Sequence, residues 1–140
     1  MADSLFIPIS QPPADVLEVE SLVAEGFREL GRAPPRLSLR RNNDIPAASL
    51  MTSFLMFEGE GPNDFCWASI REASIEITED SGRRYMVDVT TRGDWKFGGA
   101  VAYAFCKHEG SCVFNDSGVL DGLPRFDADS LQDALLADPP

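Results

Sequence analysis

Residues 67–91 have the sequence WASIREASIEITEDSGRRYMVDVTT, and this stretch decides the fold. A partly broken alternation of side chains extends from Trp67 to Ile77, and a second alternation extends from Met86 to Thr91. Period-two alternation is typical of β-strands. Asp80-Ser81-Gly82, between the two runs, has the composition of a turn. The stretch therefore predicts a β-hairpin.

A helix is predicted directly after this hairpin. Asp94 is a suitable N-cap, the helix extends from Trp95 to about His108, and Gly110 ends it. Apolar positions cover a broad part of its surface, so we expect the helix to be packed on more than one side. These positions are Phe97, Ala100, Val101, Tyr103, Ala104, Phe105, Cys106 and His108.

Another helix is predicted before the hairpin, from Ala14 to Leu30, because apolar residues recur there at helical spacing. Asp15 and Glu18 lie in its first turn, where the helix dipole favours negative charge. Gly31 directly follows and is suited to a C-cap. The three signals together predict both ends of this helix.

Shorter elements complete the chain. The predicted strands are Leu5–Ile9, Arg36–Arg40, Leu50–Phe57 and Ser111–Phe114. A short helix from Ala47 is the alternative for the third of these segments. A last amphipathic helix through Leu135 is expected to have Asp129 or Ser130 as its cap.

The order of these elements predicts the fold class. Helices on one face of a mostly antiparallel sheet would bury both amphipathic stripes, which gives a two-layer α+β sandwich. The ferredoxin-like plan is one arrangement that fits this order. A chain of 140 residues is of ordinary size for one domain, so we expect residues 1–140 to form a single domain.

The net charge of −11, from 23 acidic and 12 basic side chains, bears most directly on the partner. Phosphate backbones attract clustered Lys and Arg, so binding to nucleic acid is disfavoured and a basic protein partner is favoured. The excess is largest after residue 108, where Arg125 is accompanied by seven acids. These acids are Glu109, Asp116, Asp121, Asp127, Asp129, Asp133 and Asp138. The alternative is that the acidic surface only maintains solubility.

The cysteines and the N-terminus indicate a cellular compartment. Cys66, Cys106 and Cys112 are odd in number and lack the spacing of a disulfide framework. The first residues lack a signal sequence, and no window approaches the ~20 apolar residues of a membrane span. A cytoplasmic protein without membrane contact is therefore predicted.

Few residues in the sequence offer chemistry for catalysis or metal binding. His108 is the single histidine, and its place on an apolar stripe favours a core or interface role. Cys106, His108 and Cys112 could approach a Zn²⁺ ion, with Cys66 or Asp116 as a fourth ligand. However, Cys106 and His108 are two residues apart on a helix and therefore point ~200° apart. A non-enzymatic protein without cofactor or metal is predicted.

Paired carboxylates and paired glycines are further candidates for chemistry. Glu58 with Glu60, and Glu72 with Glu76, could serve as an acid and a base, but solvated strand positions are the simpler interpretation. Gly98-Gly99 could receive an anion on exposed amides, although close packing of the helix on the sheet is favoured.

Two tryptophans are candidates for anchors in an interface. Trp67 and Trp95 both lie near acidic residues, and interface hot spots are enriched in Trp and Tyr. A place in the core is the alternative for each. Carboxylates around an aromatic anchor would steer a basic partner and give a fast, salt-sensitive association.

Residues 94–105, DWKFGGAVAYAF, and residues 110–116, GSCVFND, resemble a segment of small bacterial immunity proteins of the polymorphic-toxin and type VI secretion kind. In that segment an alanine-rich helix follows a β-hairpin and leads through a glycine to an apolar strand and an acidic turn. The resemblance implies a non-enzymatic cytoplasmic protein that binds and blocks a cognate toxin. It carries no toxin-binding residue across, because binding faces in such proteins diverge.

The working hypothesis is an immunity-type inhibitor whose acidic side chains block a basic active-site cleft. The expected contacts are Glu72, Glu76, Asp94, Asp116 and Asp121, with Trp95 as the aromatic anchor. Two other functions stay open. One is a small enzyme or metal-binding protein that uses Cys106, His108 and Cys112. The other is a regulatory adaptor that dimerises through an open sheet edge, so the oligomeric state is also open.

Overall fold

The computed structural model describes residues 3–11, 13, 15–41, 53–72, 84–93, 95–109, 112–115 and 125–136. Its strands are β1 (Asp3–Ile9), β2 (Arg36–Arg41), β3 (Ser53–Glu58), β4 (Asp64–Glu72), β5 (Tyr85–Gly93), β6 (Cys112–Asn115) and β7 (Arg125–Asp127). Its helices are α1 (Val16–Glu29), α2 (Trp95–Glu109) and α3 (Ala128–Leu136). The predicted α+β class is confirmed.

The described strands form one sheet in the order β2-β3-β4-β5-β1-β6-β7, and each neighbouring pair is antiparallel. The predicted hairpin is present as β4 and β5, which pair from Asp64 opposite Gly93 to Glu72 opposite Tyr85. Its predicted turn at Asp80-Ser81-Gly82 lies outside the described residues. The predicted strand at Leu50–Phe57 is confirmed over the residues of β3, and the alternative helix start at Ala47 also lies outside them.

The path of the chain can be compared with the ferredoxin-like plan. In that plan two strands separate the two helices, in the order β-α-β-β-α-β. Within the described chain four strands, β2 to β5, separate α1 from α2. The connection through α2 passes over one strand, β1, whereas the connection through α1 passes over three. The consequence is a wide sheet in which β1 lies between β5 and β6.

Helix α2 is the centre of the helix layer. It contacts β1, β4, β5 and β6 beneath it and both α1 and α3 beside it. Its residues from Phe97 to Cys106 are buried, so the expectation of packing on more than one side is confirmed. A methyl group at Gly98 would overlap Cγ2 of Thr91, and one at Gly26 would overlap Cβ of Ala104. The absent side chain of Gly98 therefore lets α2 lie close to β5, as the packing interpretation expects.

The ends of α1 agree with the sequence. The Asp15 carboxylate accepts a hydrogen bond from the backbone N–H of Glu18 at 2.9 Å, which caps the first turn. At the other end Gly31 has φ 72° and donates to Arg28 O, while Arg32 donates to Phe27 O. This pair of bonds is a Schellman motif, and it requires the left-handed conformation that glycine adopts without strain.

The start of α3 differs from the prediction. The cap is Asp127 rather than Asp129 or Ser130, since Asp127 Oδ1 accepts from the Ser130 N–H at 2.8 Å and Ser130 Oγ accepts from the Asp127 N–H at 3.1 Å. The bond from the Ser130 N–H lowers the pKa of the Asp127 carboxyl. Asp127 also ends the three-residue strand β7, which the sequence analysis missed because so short a run shows no alternation.

Candidate functional site

The two faces of the sheet carry different side chains. On β4, Cys66, Ala68 and Ile70 are buried with the helices, whereas Trp67 and Ser69 are half-buried and alternate to the other face. Within the described part of the chain, the helices lie on the first face. We name the other face the outer face of the sheet.

Three aromatic side chains form a cluster on the outer face. The ring centroids of Phe54 and Trp67 lie 6.2 Å apart at an angle of 83°, and those of Phe65 and Trp67 lie 5.8 Å apart at 86°. Both contacts are edge-to-face arrangements, the geometry that the ring quadrupoles favour. Phe54 is 43% exposed, whereas Met86 on the same face is 1% exposed. The outer face therefore has apolar packing of its own, with an exposed ring at its surface.

A groove of about 300 Å³ begins at this cluster. It is lined by Phe54, Trp67, Ala68, Ser69, Asp88 and Thr90, which come from the adjacent strands β3, β4 and β5. Register explains the lining, because Ser69 lies opposite Asp88 and Trp67 lies opposite Thr90. A half-buried carboxylate is thereby placed beside two aromatic rings, a combination that attracts cations.

The structure does not gather the predicted contact residues at one place. Glu72 is exposed at the last position of β4, opposite Tyr85, whereas Trp95 begins α2 just beyond the opposite end of the hairpin. Nine residues of strand separate these ends, roughly 25 Å at ~3.3 Å per residue. Glu76, Asp94, Asp116 and Asp121 lie outside the described residues. Glu72 and Trp95 therefore belong to different ends of the molecule.

The residues of the metal hypothesis differ in their surroundings. Cys106 is buried in the helix layer, His108 is exposed, and Cys112 is half-buried next to Val113, on the opposite side of the β6 pleat from the core. Burial strongly raises the pKa of the Cys66 thiol. Among the described residues, no group of three or more His, Cys, Asp or Glu side chains is placed to hold a metal ion.

His108 lies at the surface, which excludes the core role but not the interface role that was expected for it. It lines a shallow groove between α1 and α2, next to a hydrogen-bonded group of three side chains. Glu29 accepts from Tyr103 Oη at 3.1 Å and from Lys107 Nζ at 2.8 Å. Burial and the bond to Glu29 raise the pKa of Tyr103, which Lys107 partly opposes, and the same carboxylate raises the pKa of Lys107. This group joins the two helices.

The carboxylates at the β3–β4 turn have structural roles or face solvent. Asp64 Oδ2 accepts from the Gly61 N–H at 3.1 Å and thereby closes the turn. Glu58 lies 3.9 Å from Arg36, and Glu60 is exposed. A paired acid and base at Glu58 and Glu60 gains no support from this geometry.

Sequence reasoning identified one residue of the groove and missed two. Trp67 was a candidate anchor with a place in the core as the alternative, and the structure places it half-buried on the outer face. Phe54 and Asp88 were not predicted as site residues, because their place beside Trp67 depends on the register between three strands. An aromatic residue and an aspartate at outward positions of apolar strands were the available signal.

No described helix has the length and apolar character needed to cross a membrane. Comparisons of the chain with protein-family models, with curated proteins and with solved structures find no match.

Proposed function

We propose that this chain is a non-enzymatic binding protein that recognises a basic protein partner through the groove on the outer face. The observation that carries the proposal is the placement of Trp67, Phe54 and Asp88 around one concavity. Trp is among the side chains that dominate binding energy at interfaces, and a carboxylate in the same groove favours a cationic contact.

The charge of the whole chain supports the same class of partner. A net charge of −11 creates a negative field that speeds the approach of a basic protein. Exposed acids are numerous in the helix layer, where Arg28 and Lys107 are the described exposed cations. These acids are Glu18, Glu20, Glu25 and Glu29 on α1 and Asp129 and Asp133 on α3. Such a field acts over roughly a Debye length, about 8 Å at physiological salt.

An immunity-type inhibitor of a bacterial toxin, acting in the cytoplasm, is the specific form of this proposal. It rests on the acidic charge, on the anchor-like groove and on the likeness of residues 94–116 to immunity proteins. An acidic protein that covers a basic active site would block it without any chemistry of its own.

Affinity purification of a tagged copy from its host tests this function. At low ionic strength the tagged chain is expected to retain one basic protein in equal amount, and retention is expected to fall at about 0.15 M salt. The retained protein is then expressed in cells with and without this chain. Inhibition requires that its toxicity disappears when the two are expressed together, and recovery of the tagged chain alone at both salt concentrations contradicts the proposal.

Charge reversal then tests the predicted acidic contacts. Asp116→Lys with Asp121→Lys is expected to weaken the complex and reduce its salt dependence, because two attractive charges become repulsive. Glu20→Lys with Glu25→Lys on α1 is the matched control, since it changes the net charge equally at exposed helix positions. Equal weakening by both pairs would assign the effect to the overall field and remove Asp116 and Asp121 as contacts.

A further inference from the structure

We propose that the groove between Trp67 and Asp88 receives an arginine side chain of the protein partner. This inference rests on the proposed function, because it names the group of the partner that enters the same site. It adds a binding site with a defined occupant to a function argued from charge and aromatic exposure.

The size of the groove favours a single side chain. Its volume of about 300 Å³ lies at the lower limit of pockets that hold small molecules. Its lining comes from three hydrogen-bonded strands, so the rings and the carboxylate are held on a rigid support. A flat group on a flexible stem can enter such a site.

The chemistry of the lining favours a cation with π character. Trp67 and Phe54 provide aromatic rings, and Trp is the best aromatic partner for a cation. Guanidinium is planar and weakly hydrated and stacks on rings, whereas the ammonium group of lysine is strongly hydrated. Arginine therefore loses less hydration than lysine when it enters the groove.

The charge of the lining completes the argument. Asp88 is the charged side chain among the described lining residues, and it also makes an interaction within the fold. A carboxylate accepts charge-assisted hydrogen bonds from guanidinium, which orient the arriving side chain. The chain as a whole has a net charge of −11, which disfavours an anionic ligand and favours a guanidinium group.

A titration followed by NMR tests this assignment on the whole chain. The probe is the capped peptide acetyl-Gly-Arg-Gly-amide, and its counterpart carries citrulline, a neutral side chain of nearly the same shape. The arginine peptide is expected to shift the indole N–H of Trp67 and the amides of Ser69 and Thr90 in a saturable way. The indole signal is identified by its loss in Trp67→Phe. The citrulline peptide is expected to bind at least about fivefold more weakly.

Variants at two positions test whether the arginine peptide binds in the groove. Asp88→Asn, which keeps the shape of the side chain, is expected to weaken the arginine peptide by about fivefold. Glu58→Gln is the matched control on the outer face, because Glu58 does not line the groove, and it is expected to leave binding unchanged. Phe54→Leu is a second variant. Because Phe54 is exposed, this substitution is expected to leave the fold intact, and it is expected to weaken binding of the arginine peptide.

Three results overturn the assignment: no saturable shift at the groove, equal binding of the citrulline peptide, or equal binding of a lysine peptide. The proposed function fails separately. If a purified partner binds Asp88→Asn and Phe54→Leu as tightly as the native chain, the groove is not its binding site. Inhibition of that partner still stands in that case. If the arginine peptide binds in a saturable way but the purification yields no basic partner, the inhibitor function is contradicted. The arginine site in the groove still stands in that case.

Discussion

Gly98 is the residue at which helix and sheet come closest. Because a methyl group there would overlap Cγ2 of Thr91, Gly98→Ala is expected to lower the free energy of unfolding by about 1–3 kcal/mol. Thr91→Ser removes the overlapping methyl group and keeps the hydroxyl. The double variant is therefore expected to recover much of the loss, as urea unfolding of all four proteins would measure.

The two substitutions must be non-additive if this contact limits the packing of α2. Additive losses in Gly98→Ala and Thr91→Ser would instead mean that the helix shifts away from β5 as a body. The sequence showed two glycines at this point and offered two uses for them, an anion site or close packing. Both uses require a missing Cβ, so only the position of Thr91 across the interface distinguishes them.

At the scale of elements, the bond from Tyr103 on α2 to Glu29 on α1 makes the contact between the helices dependent on pH. Tyr103 has a raised pKa in the folded chain, first because its ring is buried. The unfolded chain therefore loses the phenol proton first, at its ordinary pKa of about 10. The stabilisation from Tyr103 is complete below that pH and is lost as the pH rises through the folded-state pKa.

Tyr103→Phe tests this dependence. The native chain is expected to be more stable than the variant at neutral pH by about 1 kcal/mol, the usual value of one hydrogen bond. The difference is expected to decline above pH ~10, because only the native chain has this phenol to ionise. Urea unfolding of both proteins between neutral and alkaline pH measures it, and a difference that is constant or grows with pH contradicts the account.

Elements with strong local signals were predictable, and those that depend on distant partners were not. The sequence of α1 has acidic residues at its start, a spaced apolar stripe and a terminal glycine, and all three signals agree with the structure. Strand β7 has three residues and exists because β6 offers it a partner. The groove shares this property, since Phe54, Trp67 and Asp88 come from three separate strands.

At the scale of the whole molecule, the excess of negative charge opposes the compact state through self-repulsion. Sodium chloride at about 0.15 M is therefore expected to raise the free energy of unfolding above its value at low ionic strength, because screening weakens this repulsion. The rise is expected to be smaller in Glu20→Gln with Glu25→Gln, which removes two exposed acids of α1. An equal rise in both proteins would point to an ordinary salt effect that does not depend on charge.

The order of strands was beyond the reach of the sequence. Alternation identified the hairpin, whereas the face of β4 that is buried is known only from the structure. Alternation contains no information on whether β1 lies at an edge or between β5 and β6, because any of these positions buries Leu5 and Ile7 equally well. The fold class followed from the pattern, whereas the topology follows from the competition among strands for partners.

The position of β1 between β5 and β6 affects how the chain folds during its synthesis. Ile7 pairs with Val87, and Phe6 pairs with Phe114, so β1 can pair only after strands that lie much later in the chain have been synthesised. Loops this long close slowly, and contacts distant in sequence delay folding. Strands β2 to β5 are consecutive in the chain and can pair during synthesis. The apolar side chains of β1 stay exposed until β5 and β6 are available. The risk of aggregation is therefore greatest before β1 has paired with β5 and β6.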